Sequence, residues 1–203
     1  SLFSQFNRMK VNIEEKKKKL YAIYDQYEKD VVEFKKASAC VIGCADCCIY
    51  VGKIDITTLE GIIIRDKIVT FEEPLRSEIK ERLEKNRVEI EQKKLVRCAF
   101  LKEDKSCLIY HIRPFSCRQL YSVKKCNGAA PTMHRQAIEL ARQTVREIQR
   151  LDSNGYSGHI SYILYLLDNR NFRRSYLRGN FEPEKIASFG QSHRIMINRF
   201  ISP

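Results

Sequence analysis

Eight cysteines lie in one part of the 203-residue chain, and all of them fall between residues 40 and 126. Four are packed into the stretch CVIGCADCC and four follow at wider spacing: Cys40, Cys44, Cys47, Cys48, Cys98, Cys107, Cys117 and Cys126. Cysteines that only fill a core are usually scattered over apolar helical positions. These alternate with polar residues such as Asp46 and Lys105. Because thiolates are ligands for zinc and iron, the pattern favours metal binding by at least four of the cysteines, and all eight are candidate ligands.

Disulfides are the main alternative to metal binding. The N-terminal stretch SLFSQFNRMKVNIEEKKKK has no apolar core followed by a small-residue cleavage site, so it does not resemble a signal peptide. No run approaches the ~18–20 apolar residues of a membrane-spanning helix. We therefore expect a cytoplasmic protein with no membrane partner. Thiols stay reduced in that compartment, which disfavours a disulfide framework.

The spacing within CVIGCADCC suits ligation. Cys44 and Cys47 are separated by two residues, the gap used by zinc knuckles and iron–sulfur loops. Gly43 would supply a tight turn with positive φ. The adjacent pair Cys47 and Cys48 is awkward for one small site because neighbouring side chains tend to diverge. It suits two neighbouring sites, or one ligand and one thiol in reserve.

The metal itself is open at this point. Thiolates alone fit two four-cysteine zinc sites, and they fit a [4Fe–4S] or [2Fe–2S] cluster equally well. Zinc ribbons usually present ligands in tight pairs, whereas eight or nine residues lie between successive members of the later four cysteines. This spacing favours a larger cluster, gathered from both cysteine groups, over two self-contained zinc knuckles. His111, between Cys107 and Cys117, is a further candidate ligand, although a histidine beside aromatic residues is more often structural.

The formal net charge of +12 is unevenly distributed. Residues 76–126 carry fourteen Lys and Arg against seven Asp and Glu, and residues 170–203 carry seven against two. Such a surface is either simply solvated or meets an acidic partner: RNA, an anionic cofactor or an acidic protein. The chain contains no recognised nucleic-acid motif, so a nucleic acid is possible but not favoured.

Apolar periodicity predicts a mainly α protein: a single helical domain around a cysteine-rich metal centre with a short β-hairpin. We expect an N-terminal amphipathic helix (residues 1–39, helical over 10–37), a metal-binding region (40–130) and a C-terminal helical region packed on the same domain (131–203). Thr57 and Glu60 form a capping-box pattern, and Pro74 suits the start of a second helix. Residues 98–110 predict the hairpin. Helices are also expected from Pro131, over HISYILYLLDN and from Pro183.

The segments CVIGCADCC, DITTLEG, RCAFLKEDKSCLIYHIRPFSCRQLYS and the final KKC together resemble the cysteine-cluster family called CxxCxxCC, or YkgJ-like. The resemblance covers residues 40–126. Cys40 and Cys44 are separated by three residues where the family's shortest form has two, and Gly43 accommodates the extra residue. The family is described as zinc- or iron-chelating, so the resemblance implies metal binding and specifies no reaction.

A distant relative, flagellin lysine methylase, is similar in its cysteine cluster and is associated with an iron–sulfur cluster and S-adenosylmethionine. The resemblance therefore implies an iron–sulfur centre, for which we expect a [4Fe–4S] cluster, with zinc as the alternative. It also implies a redox reaction or the modification of a protein or peptide, with S-adenosylmethionine as a candidate cofactor. No G-x-G-x-x-G loop supports a methyl-donor site. The alternative is a non-enzymatic, zinc-stabilised module that binds RNA or a protein through its basic surface.

Three residues beside the later cysteines are candidates for contacts to the cofactor: Tyr110, Arg113 and Arg118. A metal centre bound by thiolates carries net negative charge, which nearby arginines would stabilise. The competing interpretation of Arg113 is an ordinary surface salt bridge.

Overall fold

A computed structural model describes the backbone of residues 2–201 and the side chains of residues 13–201. In chain order the elements are α1 (Leu2–Asp30), α2 (Val32–Lys35), α3 (Asp46–Tyr50), β1 (Asp55–Thr57), α4 (Thr58–Val69), α5 (Leu75–Glu91), α6 (Phe115–Arg118), α7 (Arg135–Leu151), β2 (Tyr156–His159), α8 (Ile160–Asp168), α9 (Arg170–Leu177), α10 (Ala187–His193) and β3 (Met196–Ile197). Short 3-10 turns occupy Tyr110–Ile112, Pro183–Ile186 and Asn198–Phe200. The predicted mainly α fold is confirmed.

A small antiparallel sheet joins distant parts of the chain in the order β1-β2-β3. Ile56 of β1 lies opposite Gly158 of β2, and Tyr156 of β2 lies opposite Ile197 of β3. The sequence predicted only a short extended piece at β1. Residues of β2 were expected in a break and a helix, and β3 in a last helical segment, so those two predictions were wrong. The strands were missed because each pairs with a segment far away in sequence.

The N-terminal helix α1 packs against α7 and buries an apolar stripe. The stripe consists of Leu20, Tyr24 and Tyr27 and continues in Val31 directly after the helix, and all four residues are buried. These residues recur at three- and four-residue steps, as the amphipathic pattern predicted. Ala137, Ala141 and Ile148 face them from α7, and the small alanines allow close approach. A second core surrounds the sheet, α4, α5 and α8.

The predicted capping box at the start of α4 is confirmed. The Thr57 side chain accepts from the backbone N–H of Glu60, and the Glu60 carboxylate accepts from the backbone N–H of Thr57. Helix α5 begins directly after Pro74, as predicted. Helix α9 was not predicted, because its sequence RNFRRSYL is dominated by arginines. Among residues 2–201, no helix is both long and apolar enough to cross a membrane.

Candidate metal centre

The first cysteine group is carried by a turn and a short helix. A hydrogen bond of 3.0 Å from the Cys44 N–H to the Val41 carbonyl closes the turn. Gly43 lies in this turn with φ +87°, the positive value that the sequence predicted. Cys47 and Cys48 then fall on α3 and not in the predicted loop. The turn therefore separates the exposed Cys40 and Cys44 from the partly buried Cys47 and Cys48.

The hairpin of residues 98–110 brings two further cysteines to α3. It consists of a single antiparallel bridge between Leu101 and Cys107, supported by a 2.9 Å hydrogen bond from the Leu108 N–H to the Phe100 carbonyl. The Cys98 N–H donates to the Cys48 carbonyl at 2.8 Å, which fixes the start of the hairpin against α3. Local pairing inside the hairpin thus holds Cys98 and Cys107 close to the first group.

Cys117 is positioned by α6, which follows Pro114. Phe115 at the start of α6 is buried and packs on the rings of Tyr24 and Tyr27. Its N–H donates to a carboxylate oxygen of Glu60 at 2.8 Å. One turn of helix with an anchored first residue therefore aims the Cys117 thiol at the same region as α3 and the hairpin.

Thiols from both cysteine groups lie close together beside α3, and they change one another's pKa values. The hydrogen bond with Cys48, together with burial, raises the pKa of Cys47 far above its ordinary range. For Cys48 the hydrogen bond with Cys47 lowers the pKa, but the Cys98 thiol and burial outweigh it and raise the pKa to about 12. A cluster of thiols that is out of water thus favours the neutral form.

Burial is the largest influence on the pKa of two further thiols, those of Cys107 and Cys117. Burial raises the pKa of Cys107, and the neighbouring Cys47 adds to the rise. Burial also raises the pKa of Cys117, with further contributions from Cys48, Cys107 and Cys47. The positive charge of Arg113 opposes the rise at both residues. We call Cys47, Cys48, Cys98, Cys107 and Cys117 the inner cysteines.

The inner cysteines are close together without forming a ligand set for a single ion. In the part of the chain that the structure describes, no three His, Cys, Asp or Glu side chains are arranged so that they could hold one metal ion. Neutral thiols hydrogen-bond to one another, whereas ligation requires thiolates that face a common centre. The assignment of all eight cysteines as ligands therefore stays a prediction.

Arg113 faces the inner cysteines with an unsatisfied donor. Its Nε–H is buried and has no hydrogen-bond partner among the described residues. The guanidinium lies 4.1 Å from the centroid of the Tyr110 ring. A buried cationic donor without an acceptor is costly unless an anion is placed beside it. Thiolates that bind a metal would supply that anion, so the residues present fit an anionic metal centre.

The other two sequence candidates near Arg113 have different surroundings. The Arg118 guanidinium donates to the carbonyls of Arg113 at 2.9 Å and His111 at 3.1 Å, and it stacks 4.6 Å from the centre of the Tyr24 ring. Arg118 thus fixes the backbone that carries Arg113. The His111 side chain is exposed and meets the edge of Tyr110, 5.8 Å between ring centroids.

The outer cysteines, Cys40, Cys44 and Cys126, lie on two loops that are joined by hydrogen bonds of Ser122. The Ser122 carbonyl accepts from the Ala39 N–H at 2.7 Å. Its hydroxyl donates to the Lys124 carbonyl at 2.6 Å and accepts from the Thr132 N–H at 2.9 Å. The loop from residue 122 to residue 132, which contains Cys126, is therefore attached to the loop that begins at residue 39.

Two residues that organise the centre were not recognised from the sequence as doing so. Ser122 lies in the stretch LYSVKKC, where no sequence pattern indicates that the serine joins two loops by hydrogen bonds. Glu60 was recognised only as a capping residue. Its second carboxylate oxygen accepts from the Tyr24 hydroxyl at 2.6 Å and from the Phe115 N–H, which joins α1, α4 and α6. The capping box was the available signal, but it does not reveal the long-range partners.

The comparison with protein families agrees with this geometry. Residues 39–134 match the family CxxCxxCC, described as a "putative zinc- or iron-chelating domain". The match includes every cysteine of the chain together with Arg113 and Arg118, and it supports metal binding by zinc or iron. Searches of curated proteins and of solved structures returned no match.

Proposed function

We propose that residues 39–134, as a segment belonging to the CxxCxxCC family, hold a [4Fe–4S] cluster on Cys48, Cys98, Cys107 and Cys117. A cluster of this kind takes four thiolate ligands and supplies one-electron redox chemistry. One observation carries the proposal: partly buried thiols from both cysteine groups converge beside the unpaired, buried Nε–H of Arg113. The cluster would be the electron-transfer centre of a redox reaction.

The spacing of the cysteines along the chain supports a cluster over two self-contained zinc knuckles. Zinc ribbons usually present their ligands in tight pairs. Here eight or nine residues separate Cys98, Cys107 and Cys117, and Cys48 comes from the first cysteine group. Four thiols gathered from separate parts of the chain suit the larger cofactor.

The chain's own residues prepare the site for an anionic cofactor. Burial raises the pKa of Cys107 and Cys117 and so favours their neutral form without metal, and metal binding must release their protons. Arg113 then gains thiolates as partners for its unsatisfied donor, and Arg118 holds the backbone of Arg113 in place. The inner cysteines are partly buried, on α3, the hairpin and α6.

We propose a second, outer site on Cys40, Cys44, Cys47 and Cys126. Adjacent residues on a helix point in different directions, so Cys47 and Cys48 can serve different sites. The hydrogen bond from the Ala39 N–H to the Ser122 carbonyl brings the loops of Cys40 and Cys126 together. Four thiolates at this position suit zinc or iron.

The reaction that we propose is electron transfer, in the reducing cytoplasm, to a protein or peptide substrate or in support of its modification. A methyl-transfer version with S-adenosylmethionine lacks a glycine-rich G-x-G-x-x-G loop in this chain. The second candidate function is a colourless, zinc-stabilised module that binds an acidic protein or RNA. The basic composition of residues 76–126 favours it, since a redox centre does not require that charge.

Elemental analysis and visible spectroscopy of anaerobically purified protein test the proposal. We expect about four iron atoms per chain and a broad visible absorption that bleaches on reduction. Cys117→Ser should lose the absorption and most of the iron, because it removes an inner ligand. Cys44→Ser, the matched variant in the outer site, should keep the absorption.

A protein that contains zinc alone and has no visible absorption would contradict the cluster and support the zinc module. Equal loss of the absorption in Cys44→Ser and Cys117→Ser would show that the two groups form one centre. Circular dichroism of both variants should report folded protein, so that metal loss is not a consequence of unfolding.

A further inference from the structure

A cavity of about 200 Å³ lies between helices α4, α5 and α8, and none of the eight cysteines lines it. On each helix the lining residues are spaced so that they share one face. They are Arg65, Ile68 and Val69 of α4, Arg76, Lys80 and Leu83 of α5, and Leu164 and Asp168 of α8, with Glu73 just before α5. The cavity is therefore a feature separate from the candidate metal centre.

The Arg65 guanidinium contributes a donor without an acceptor. Its Nε–H is buried and has no hydrogen-bond partner among the described residues. Asp168 Oδ1 lies 3.9 Å from Nε, which is too far for a hydrogen bond. Burial and then the charge of Arg65 lower the pKa of Arg173, while Asp168 opposes the change, so two guanidiniums lie near this one carboxylate. A buried cationic donor in this situation is stabilised by a further anion beside it.

Two more cations of the lining have free donors. Lys80 is exposed and forms no ion pair or hydrogen bond in the described part of the chain. Arg76 donates through Nε to Glu73 at 2.8 Å, and its two Nη groups have no acceptor among the described residues. Glu73 also accepts from the N–H and the hydroxyl of Ser77, at 3.1 and 2.7 Å. Three cations thus line the cavity, and the Asp168 carboxylate forms no hydrogen bond with any of them.

The rest of the lining is aliphatic. Ile68, Leu83 and Leu164 are buried, whereas Val69 is 51% exposed. Apolar walls beside cationic donors suit a ligand that has both an anionic group and a hydrocarbon part. The volume is below the roughly 300–1,000 Å³ that is typical of pockets for drug-sized ligands, so the ligand is small.

We propose that this cavity binds a small organic anion with a carboxylate or phosphate head group and a short aliphatic chain. The head group accepts hydrogen bonds from Arg65, Arg76 and Lys80, and guanidinium groups match the oxygens of both kinds of head group. The chain packs on the aliphatic walls. A neutral ligand would leave the cationic donors unpaired, and an inorganic ion would leave the aliphatic walls uncovered.

Isothermal titration of the whole, metal-loaded chain with pentanoate, butyl phosphate, inorganic phosphate and pentan-1-ol tests the proposal. Pentanoate or butyl phosphate should bind at least about tenfold more tightly than pentan-1-ol, because only the anions accept charge-assisted hydrogen bonds. Butyl phosphate should bind more tightly than inorganic phosphate, because only the ester has a chain that covers the aliphatic walls. The tighter of the two organic anions identifies the head group, and equal affinities mean that the site accepts both.

Variants of the lining cations separate this site from general attraction to a basic protein. Arg65→Gln should weaken binding of the preferred organic anion about tenfold, because it removes the buried donor. Lys80→Gln should weaken it several-fold. Lys85→Gln, an exposed lysine of α5 that does not line the cavity, is the matched control and should leave the affinity unchanged.

Organic anions that bind no more tightly than pentan-1-ol would overturn the proposal. So would affinities that stay the same in both Arg65→Gln and Lys80→Gln, or that fall equally in Lys80→Gln and Lys85→Gln. Inorganic phosphate that binds as tightly as either organic anion would refute the role of the aliphatic walls. If circular dichroism shows that Arg65→Gln does not fold, Lys80→Gln still decides the question, because Lys80 is exposed.

Discussion

Arg113 illustrates what a single residue contributes to the centre. Its buried Nε–H has no partner among the described residues, and its charge opposes the rise in pKa of Cys107 and Cys117. The sequence identified Arg113 as a candidate because arginine near thiolates has an obvious electrostatic use. It could not decide against the surface salt bridge, since the orientation of a long side chain depends on the tertiary packing around Tyr110 and Arg118. The positive φ of Gly43 could be predicted from the sequence, because a tight turn between cysteines restricts φ locally.

Replacing Arg113 tests its electrostatic role. Arg113→Gln removes the charge beside the inner cysteines, and the reduced form of the proposed [4Fe–4S] cluster should then lose stabilisation relative to the oxidised form. We expect the reduction potential to fall by about 50 mV, which corresponds to about 1 kcal/mol for a one-electron couple. Arg97→Gln, an exposed arginine next to Cys98, is the control and should change the potential less. Redox titration followed by visible absorption measures both. An unchanged potential in Arg113→Gln would assign Arg113 a packing role only.

Among the elements, α4 connects the N-terminal helix with the cysteine region. Its capping box could be predicted because it depends on two residues three positions apart. The connections from Glu60 to Tyr24 and Phe115 could not, since those partners are 36 and 55 residues away. The hairpin was predictable for the same local reason as the capping box. The strands β2 and β3 were missed because a strand of two to four residues has too short a pattern to recognise.

Replacing one oxygen of the Glu60 carboxylate with an NH₂ group should destabilise the folded protein. It accepts four hydrogen bonds, two from the Thr57 N–H and hydroxyl and two from Tyr24 and Phe115. Glu60→Gln places an NH₂ group against one pair of these donors. We expect a loss of about 2–3 kcal/mol in the free energy of unfolding, measured by urea denaturation. Glu72→Gln, an exposed carboxylate before α5, should cost almost nothing. Equal stability of Glu60→Gln and wild type would mean that the network contributes little.

At the scale of the whole molecule, Asp152 joins distant parts of the chain. Its buried carboxylate accepts from the Leu59 N–H at 3.0 Å and from the Tyr176 hydroxyl. Its backbone carbonyl accepts from the Asn198 amide at 3.0 Å. Burial raises the pKa of Asp152 from 3.8 to about 7, although the hydrogen bonds from Tyr176 and Leu59 to its carboxylate oppose the rise. None of this was predictable from the stretch LDSNG, where an aspartate after a helix normally marks a solvent-exposed turn.

The raised pKa of Asp152 predicts how stability depends on pH. The folded protein holds the proton up to about pH 7, whereas the unfolded chain releases it near pH 3.8. The stabilisation is therefore fully present below pH 3.8 and is lost as the pH rises to about 7, an effect on the order of a few kcal/mol. Asp152→Asn, which mimics the neutral form, should flatten the pH dependence of urea denaturation between pH 5 and pH 8 at constant metal content.

Asp25→Asn, an exposed carboxylate of α1, is the control and should keep the slope of the wild type. If the slopes of wild type and Asp152→Asn are the same, Asp152 is ionised throughout this range, and the hydrogen bonds together with Lys16 outweigh its burial.

The packing of α1 against α7 has a consequence for the order of events during synthesis. The apolar stripe of α1 leaves the ribosome before its partner helix α7, which begins only at Arg135. Contacts this distant in sequence slow folding, so the stripe stays open while more than a hundred residues are added. Every cysteine has been made by residue 126. When α7 finally docks on α1, all eight thiols are therefore already in the nascent chain, and metal loading and closure of the domain can occur as one late step.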